Sequence, residues 1–547
     1  AVAAGRLHDG LALLLRAQRL AAAPGHQVAE AVGRLAESAI EALYAQEPAL
    51  VPMAARRAGS LLLKEPTGSG RRCPPERADD SAGCGGSGKD GGRAAAGLEA
   101  ASVGSGARFE PWLVGGEVPR VDCGSPEGFR RALEFIARRV PVVMEHLDVM
   151  PRTSGWTLDY LREHTTEWPG LNVLRSSGGH LRHVPRVGAQ GRHGLQSSYP
   201  GSDNRYLYYV GDQADRDMSA FRDAPRQASQ DLRMSFGSFL RAAREDPSGR
   251  YYLQAPLVMR EAREDGTVEE VWSKGIDGTL RADCDRDLDR ERLSAIEVAG
   301  RFGHWSRSQL FVGPSETLSP IHYDQYDNLF SQVAGVKSFL LFDPRAAEGL
   351  YPFPLAHPYD EYAMVDLQNV DERAFPRARS ALEGRGAVVV LKPGESLYIP
   401  THWWHHVQGG AARGAWSISV NFWYSIYRVL HEAPHPLPLH LELELARHAE
   451  LLLADLCGSA HVGRMAALLR EDADDQDGGG RSDVVSLPTR NFLLYRLARL
   501  LGPGEVRSFV HEYFPPERFD RGAVLAALQG PMRGGREGVA ATAAGGG

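Results

Sequence analysis

Between residues 308 and 424 short apolar runs are separated by Gly and Pro turns. Gln309–Gly313, Ser338–Phe342, Ala387–Leu391, Ser396–Ile399 and Trp416–Trp423 each read as β-strand, and Lys392-Pro393-Gly394-Glu395 reads as a turn. In the last run Ile418, Val420 and Phe422 alternate with Ser417, Ser419, Asn421 and Trp423, which gives one apolar face and one suited to lining a pocket. Many short strands without long helices between them predict a sandwich or jelly roll. Upstream, Phe129–Arg139 and Phe236–Ala243 read as helices, while Val140–Met144 and Tyr251–Gln254 read as strands. Downstream, Leu441, Leu445, Ala449, Leu452 and Leu456 mark one face of an amphipathic helix. Two more helices are expected around 490–501, stopped by Gly502-Pro503, and 504–513.

Outside these stretches the pattern changes. Residues 7–50 have helical spacing, whereas 65–107 carry almost no large apolar side chain and read as a disordered linker. Within that linker Gly83 to Lys89 fits GxxxxGK. Asp90 stands where a phosphate loop needs Ser or Thr, and no strand precedes it, so the match reads as chance. Residues 176–204 read as a polar loop whose His180, His183 and His193 are solvated, and 260–292 reads as a charged insertion.

The chain has 547 residues with 62 Lys+Arg against 69 Asp+Glu, a net charge of −7 that argues against nucleic-acid binding through bulk positive charge. Its 5 cysteines include no CxxC pair, so neither a disulfide framework nor a thiolate zinc site is expected, and a reducing compartment, cytoplasmic or nuclear, is. No apolar run is long enough to suggest a membrane span. The chain begins at Ala1, which leaves a leader peptide open.

Candidate chemistry gathers in the strand-rich part. His322 and Asp324 are two apart at a strand end, so both side chains point to one side. His405, in Trp403-Trp404-His405-His406, is the candidate third ligand on a strand folded back alongside. Two imidazoles and one carboxylate on one face leave positions open, as in non-haem Fe(II) oxygenases. An HxD pair alone is better read as a polar pair at a strand end. Here Lys337 on the next strand could bond a carboxylate, and Asn328 and Asn421 could donate amide hydrogens. His402 and His406 read as supporting or packing groups, and Trp403 and Trp404 as core.

These residues carry a resemblance. The stretches His322–Phe330, Leu350–Pro354, His357-Pro358, Tyr398–Pro400, Trp403–His406 and Val420–Tyr424 are similar to the JmjC (cupin-type) 2-oxoglutarate dioxygenases, more narrowly to the asparaginyl hydroxylases typified by factor inhibiting HIF. Weaker similarity runs back through Tyr251–Gln254 and Tyr206–Tyr209 to about 108 and forward to about 470.

The resemblance implies a double-stranded β-helix with flanking helices. It covers a catalytic domain (108–430) and a helical dimerisation region (431–475); outside it, the residue pattern gives an N-terminal helical segment (1–64), the linker (65–107) and a helical extension with a disordered tail (476–547). It implies that His322, Asp324 and His405 ligate Fe(II). Tyr252, Ser319 (threonine in the family) and Lys337 would hold the distal carboxylate of 2-oxoglutarate, with Asn328 and Asn421 near its other carboxylate and Trp423 beside the metal. Tyr208 and Gln254 match peptide-contacting positions. After His357-Pro358 the family has Asp-Arg-Gln, and this chain has Asp360-Glu361-Tyr362, which places Glu361 and Tyr362 against the substrate and unsettles asparagine selectivity.

The implied reaction consumes O₂ and 2-oxoglutarate, releases succinate and CO₂, and hydroxylates a side chain of a protein such as an ankyrin-repeat protein, with ascorbate supportive. A homodimer through the C-terminal helices is implied as well. The alternatives are an N-methyl-lysine demethylase, another side-chain hydroxylase, or a cupin-like scaffold that binds partners without turnover.

Overall fold

The computed structural model describes residues 109–515 except 151–152, 154, 168–169, 176–229, 247–250, 263–267, 315–316, 353–360, 364, 371, 373–374, 411–414, 425–434, 458–461 and 471–482. Two sheets face each other. The smaller runs β1 (Val114–Glu117), β12 (Gly386–Leu391), β11 (Lys337–Phe342), β14 (Trp404–Gly409), β9 (Leu318–His322). The larger runs β2 (Arg120–Asp122), β3 (Val142–Glu145), β13 (Ser396–Ile399), β10 (Asp327–Ala334), β15 (Trp416–Tyr424), β8 (Trp305–Pro314), β6 (Tyr251–Ala262), β4 (Leu171–Arg175), β5 (Gln230–Met234), with β7 (Val268–Trp272) hairpinned onto β6. From β8 to β15 the chain changes sheet at each step except β11 to β12, as in a jelly roll. Gly335, at φ 68°, turns β10 into β11 where a Cβ would lie 2.3 Å from the Trp416 carbonyl oxygen.

Alternation along each strand sorts side chains into layers. Phe311, Phe330, Phe339, Leu341, Val389, Leu391, Leu397 and Ile399 point into the space between the sheets. The outer face of the larger sheet is covered by α1 (Pro126–Ala137), α2 (Leu158–His164), α3 (Phe236–Glu245), α4 (Gly278–Asp287) and α5 (Arg290–Gly300). Helix α1 starts three residues before the expected Phe129, where the Ser125 hydroxyl accepts from Gly128 N–H and Pro126 opens the first turn.

The stretch 260–292, expected as an insertion, belongs to this layer. It completes the β6–β7 hairpin and forms α4, and Leu280 and Cys284, one turn apart, are buried in the core. Its charges occupy the outer side, where Arg290 pairs with Glu270 at 3.1 Å.

After the barrel come α6 (Leu439–Cys457), α7 (Val462–Arg470), α8 (Asp483–Leu501) and α9 (Val506–Tyr513). They share one apolar core, in which Leu453, Leu456, Met465, Leu469, Leu494, Phe509 and Val510 are buried, so helices on both sides of residue 475 pack together. On the apolar side of α6, Ala449 and Leu456 are buried against the other helices of this core, and Leu445 and Leu452 partly so. Among the described residues no helix is long and apolar enough to cross a membrane.

Candidate metal centre

Strand β9 ends at His322, and the antiparallel register of β14 sets His405 directly opposite it, with the ring centroids 4.1 Å apart. Asp324 follows two residues past the strand end, and its Oδ2 is 3.7 Å from His405 Nε2. One ligand atom from each of the three lies within 4.8 Å of the others. Both rings are oriented by backbone carbonyls: His322 Nδ1 is 2.7 Å from Pro320 O, and His405 Nδ1 is 3.0 Å from Trp403 O. A carbonyl only accepts, so Nδ1 carries the proton and Nε2 presents its lone pair, the tautomer a divalent cation requires. Burial pushes both imidazoles down to about 4, helped at His322 by His405. They are therefore neutral at physiological pH. Burial raises the Asp324 carboxyl, opposed by the charges of His322 and Arg307 and by a bond from Asn328. Two neutral imidazoles and a carboxylate fit Fe(II) or a similar divalent ion.

Deeper in the barrel, Lys337 is 2% exposed, and its Nζ donates to Tyr252 Oη at 2.9 Å. The rings of Phe330, Tyr252 and Phe311 lie 4.7, 5.3 and 5.5 Å from the ammonium. Tyr252 reaches it across Gly313, where a Cβ would come within 2.4 Å of the tyrosine ring. Among the described residues no carboxylate pairs with Lys337, and burial pushes its pKa down to about 7. Ser319 lies on β9 opposite Val407 of β14, which in turn faces Phe339 of β11. On β10 the buried Gln332 accepts from Ser419 at 2.9 Å and donates to Ser417 at 3.0 Å.

Between the two ends lie buried polar atoms with no protein partner: both side-chain atoms of Asn421, Oδ1 of Asn328 and Nε1 of Trp423. Buried polar groups rarely go unsatisfied, and an oxygen-rich ligand running from the triad to Lys337 fits this set. Asn421 stands beside Phe330 of β10, and Trp423 beside Asn328.

Gln254 shares the inward face of β6 with Tyr252 and pairs with Phe311 of β8. At the mouth, Tyr362 forms a bridge to His322 and stacks on its ring at 5.1 Å. The Glu361 carbonyl accepts from Tyr323 N–H at 3.0 Å, while Gln325 donates to its carboxylate at 2.7 Å. The stretch that differs from the asparaginyl-hydroxylase motif thus lies directly against His322. Tyr208 and the histidines 180, 183 and 193 lie outside the described residues.

Sequence reading missed Arg307. It opposes Trp423 in the β8–β15 register, and its guanidinium lies 3.9 Å from the centre of the Trp423 ring and 4.9 Å from that of Tyr326. Its Nε has no hydrogen-bond partner. Burial lowers its pKa, against the opposing influence of Tyr326, Asp324 and Glu361. Gln309, opposite Asn421, is on the same inward row. Extending the alternation of β8 two residues back from Gln309 would have found Arg307.

The fold and this inward-facing histidine and aspartate set define a cupin-like JmjC domain. The profile of the family described as "Cupin-like domain" matches residues 128–427, and the chain belongs to that family. The chain is similar to Lysine-specific demethylase JMJ30 of Arabidopsis thaliana, 37% identical over 115 residues that cover 21% of this chain and 25% of the relative. It is also similar to Lysine-specific demethylase JMJ31 of the same plant, 28% identical over 239 residues, 43% of this chain and 38% of the relative. HSPB1-associated protein 1 of Homo sapiens is 34% identical over 139 residues, 25% of this chain and 26% of the relative. The matches therefore span well under half of these relatives' length. Their names point to JmjC proteins at large rather than to the asparaginyl hydroxylases that the motifs resemble.

Proposed function

We propose that the protein is an Fe(II)- and 2-oxoglutarate-dependent oxygenase acting on a protein side chain. The observation that supports this reading is the gathering of His322, Asp324 and His405, with one ligand atom from each within 4.8 Å of the others, in a barrel whose interior also holds the buried Lys337. Fe(II) bound there would activate O₂, with 2-oxoglutarate oxidised to succinate and CO₂. The chain's own part is binding and orientation. His322, Asp324 and His405 would hold the metal on one face. Lys337, with Tyr252 and Ser319, would take the far carboxylate of 2-oxoglutarate in a dry pocket where a charge-assisted bond is strong. Asn328 and Asn421 would bond its nearer oxygens, and Trp423 would wall the metal side. Gln254, Glu361 and Tyr362 would meet the substrate.

The relatives' names favour N-methyl-lysine demethylation as the outcome, in which oxidation of a methyl carbon releases formaldehyde. A second reading, hydroxylation of an uncharged side chain such as asparagine, is favoured by Arg307: a methylammonium drawn towards the metal would meet a guanidinium stacked on Trp423.

The test is succinate formation from 2-oxoglutarate by purified protein with Fe(II) and ascorbate, against methyl-lysine peptides and asparagine-containing ankyrin peptides. Peptide-stimulated succinate with formaldehyde supports demethylation; with a product heavier by one oxygen it supports hydroxylation. No succinate from iron-loaded protein would reject the enzyme and favour a binding scaffold.

A further inference from the structure

We propose that the C-terminal helix α6 is part of the metal site: Glu444, acting through His402, positions the turn that presents Asp324. The inference rests on the reading of Asp324 as a ligand and adds positioning residues to it.

The turn after Asp324 is laced to residues 401–402. His402 N–H donates to the Asp324 carbonyl at 2.9 Å, and the Thr401 hydroxyl donates to the same oxygen at 3.3 Å. Thr401 N–H donates to Asp327 Oδ1 at 3.2 Å. To make these bonds His402 adopts φ 62°, a left-handed conformation unfavourable for a residue with a Cβ. Such a conformation persists where the surroundings over-determine it, and it is common at functional sites.

Here the constraint comes from another part of the fold. His402 Nε2 lies 3.1 Å from Oε2 of Glu444, a carboxylate with 0% exposure. One turn on along α6, the Arg447 guanidinium reaches the hydroxyl of Tyr323, the residue between the two presumed ligands, at 3.5 Å. The Tyr323 ring packs 5.2 Å from that of His402 and 4.9 Å from that of Trp404. Residues three apart on a helix share a face, so α6 grips the ligand turn with 444 and 447 while Ala446, Ala449, Leu453 and Leu456 hold it to the other helices. A buried carboxylate that orients the imidazole next to a ligand turn is a positioning group, and losing such groups weakens metal binding.

The test uses Co(II) in the full chain, read by affinity and by its visible d–d spectrum, which reports the ligand set. Glu444→Leu should weaken Co(II) binding by roughly 10–100-fold and alter the spectrum. Glu444→Gln, whose amide oxygen can still accept from His402, should restore both. His402→Gly tests the same anchor from its other side: glycine adopts the left-handed conformation freely, while the bond to Glu444 is lost together with the ring contact to Tyr323, so it is read beside Glu444→Gln, which keeps that ring. Weakened Co(II) binding in His402→Gly supports the inference even if Glu444→Leu fails to fold. Wild-type affinity and spectrum in His402→Gly overturn it, since the backbone alone would then position Asp324. Failure of wild-type protein to bind Co(II) would overturn the ligand reading itself, a different outcome from a wild type that binds beside variants that bind equally well.

Discussion

The two ends of the barrel interior each hold a cation without a carboxylate partner among the described residues, in different settings. Lys337 sits at the inner end, enclosed by strands, bonded to a phenol and surrounded by three aromatic rings. Arg307 sits at the mouth, half-buried against Trp423 and Tyr326, beside the ligand turn and the bridge at Tyr362. The inner end is built almost entirely from alternate residues of paired strands, so its shape is fixed by register. The mouth is built from turns and from a segment that departs from the family pattern. One end is suited to a fixed small-molecule terminus, and the other can vary with the macromolecule it receives.

The severest break would come between the two ends. Asp324→Ala and His405→Ala should each lower metal-dependent succinate formation below detection, since two ligands do not hold a divalent ion at this open site. Turnover comparable to wild type in either would sink the assignment and leave the comparison without a centre.

Next in size is a stability effect beside the ligand turn. Arg139 pairs with Asp327 through both carboxylate oxygens at 2.8 and 2.9 Å, and Tyr398 donates to the same carboxylate at 2.8 Å. Asp327→Ala would strand the guanidinium, a loss of about 3–5 kcal/mol for breaking a buried pair. Denaturant unfolding checks this, and a loss below about 1 kcal/mol, the scale of an exposed pair, would show the mouth to be less rigidly tied than its bonds imply.

The difference between the ends also explains what could be read without a structure. Strand alternation exposed Ser417, Ser419, Asn421 and Trp423 as a pocket face, and the HxD spacing marked His322 and Asp324, because these signals are local. Lys337, Asn328 and Asn421 stood out as polar groups near that motif, and the resemblance proposed a cosubstrate role for them and for Tyr252 and Ser319. Arg307 was missed because the β8 run was read only from Gln309; alternation carried two residues further back would have placed it on the inward row, while its position opposite Trp423 needs the register. The pairs Arg139–Asp327 and His402–Glu444 were hidden because, like that register, they are encoded by no run of residues. The stretch 260–292 misled because the charges on its outer side masked Leu280 and Cys284 on the inner side of one helix.

At the inner end, Lys337→Met should raise the 2-oxoglutarate requirement about tenfold to a hundredfold, the worth of a hydrogen bond to a charged group at about 1.5–3 kcal/mol. The ligand-free variant should be no less stable than wild type, because methionine avoids burying an ammonium. A titration of 2-oxoglutarate and a melting curve decide it together, and an unchanged requirement would break the assignment of this end.

The same lysine sets a pH effect. Its folded-state pKa is about 7 against an ordinary 10.5, so between these values the unfolded chain binds the extra proton. Stability from this group therefore rises as pH climbs from about 7 towards 10.5, and below about 7 the full cost of burying the ammonium is present. Pairing with a carboxylate needs the ammonium, so above pH 7 binding must take up a proton, and affinity should fall by at most about tenfold per pH unit. In Mn(II)-substituted protein, 2-oxoglutarate affinity flat from pH 7 to 9, or the same slope in Lys337→Met, would assign the effect elsewhere.

The smallest effect belongs to the mouth. Two like charges about 8 Å apart at an effective dielectric near 20 repel by about 2 kcal/mol, and partial exposure reduces that. Arg307→Gln should therefore shift preference towards a methyl-lysine peptide over a neutral one by only about threefold to tenfold. The 2-oxoglutarate requirement should stay unchanged, because the distal carboxylate is assigned to Lys337 at the other end of the channel. Competition between the two peptides, with succinate measured in parallel, separates the cases. A shifted preference at constant 2-oxoglutarate requirement places the charge on the substrate side. A raised 2-oxoglutarate requirement would instead make Arg307 a second cosubstrate contact, and both ends of the barrel would then serve the small molecule.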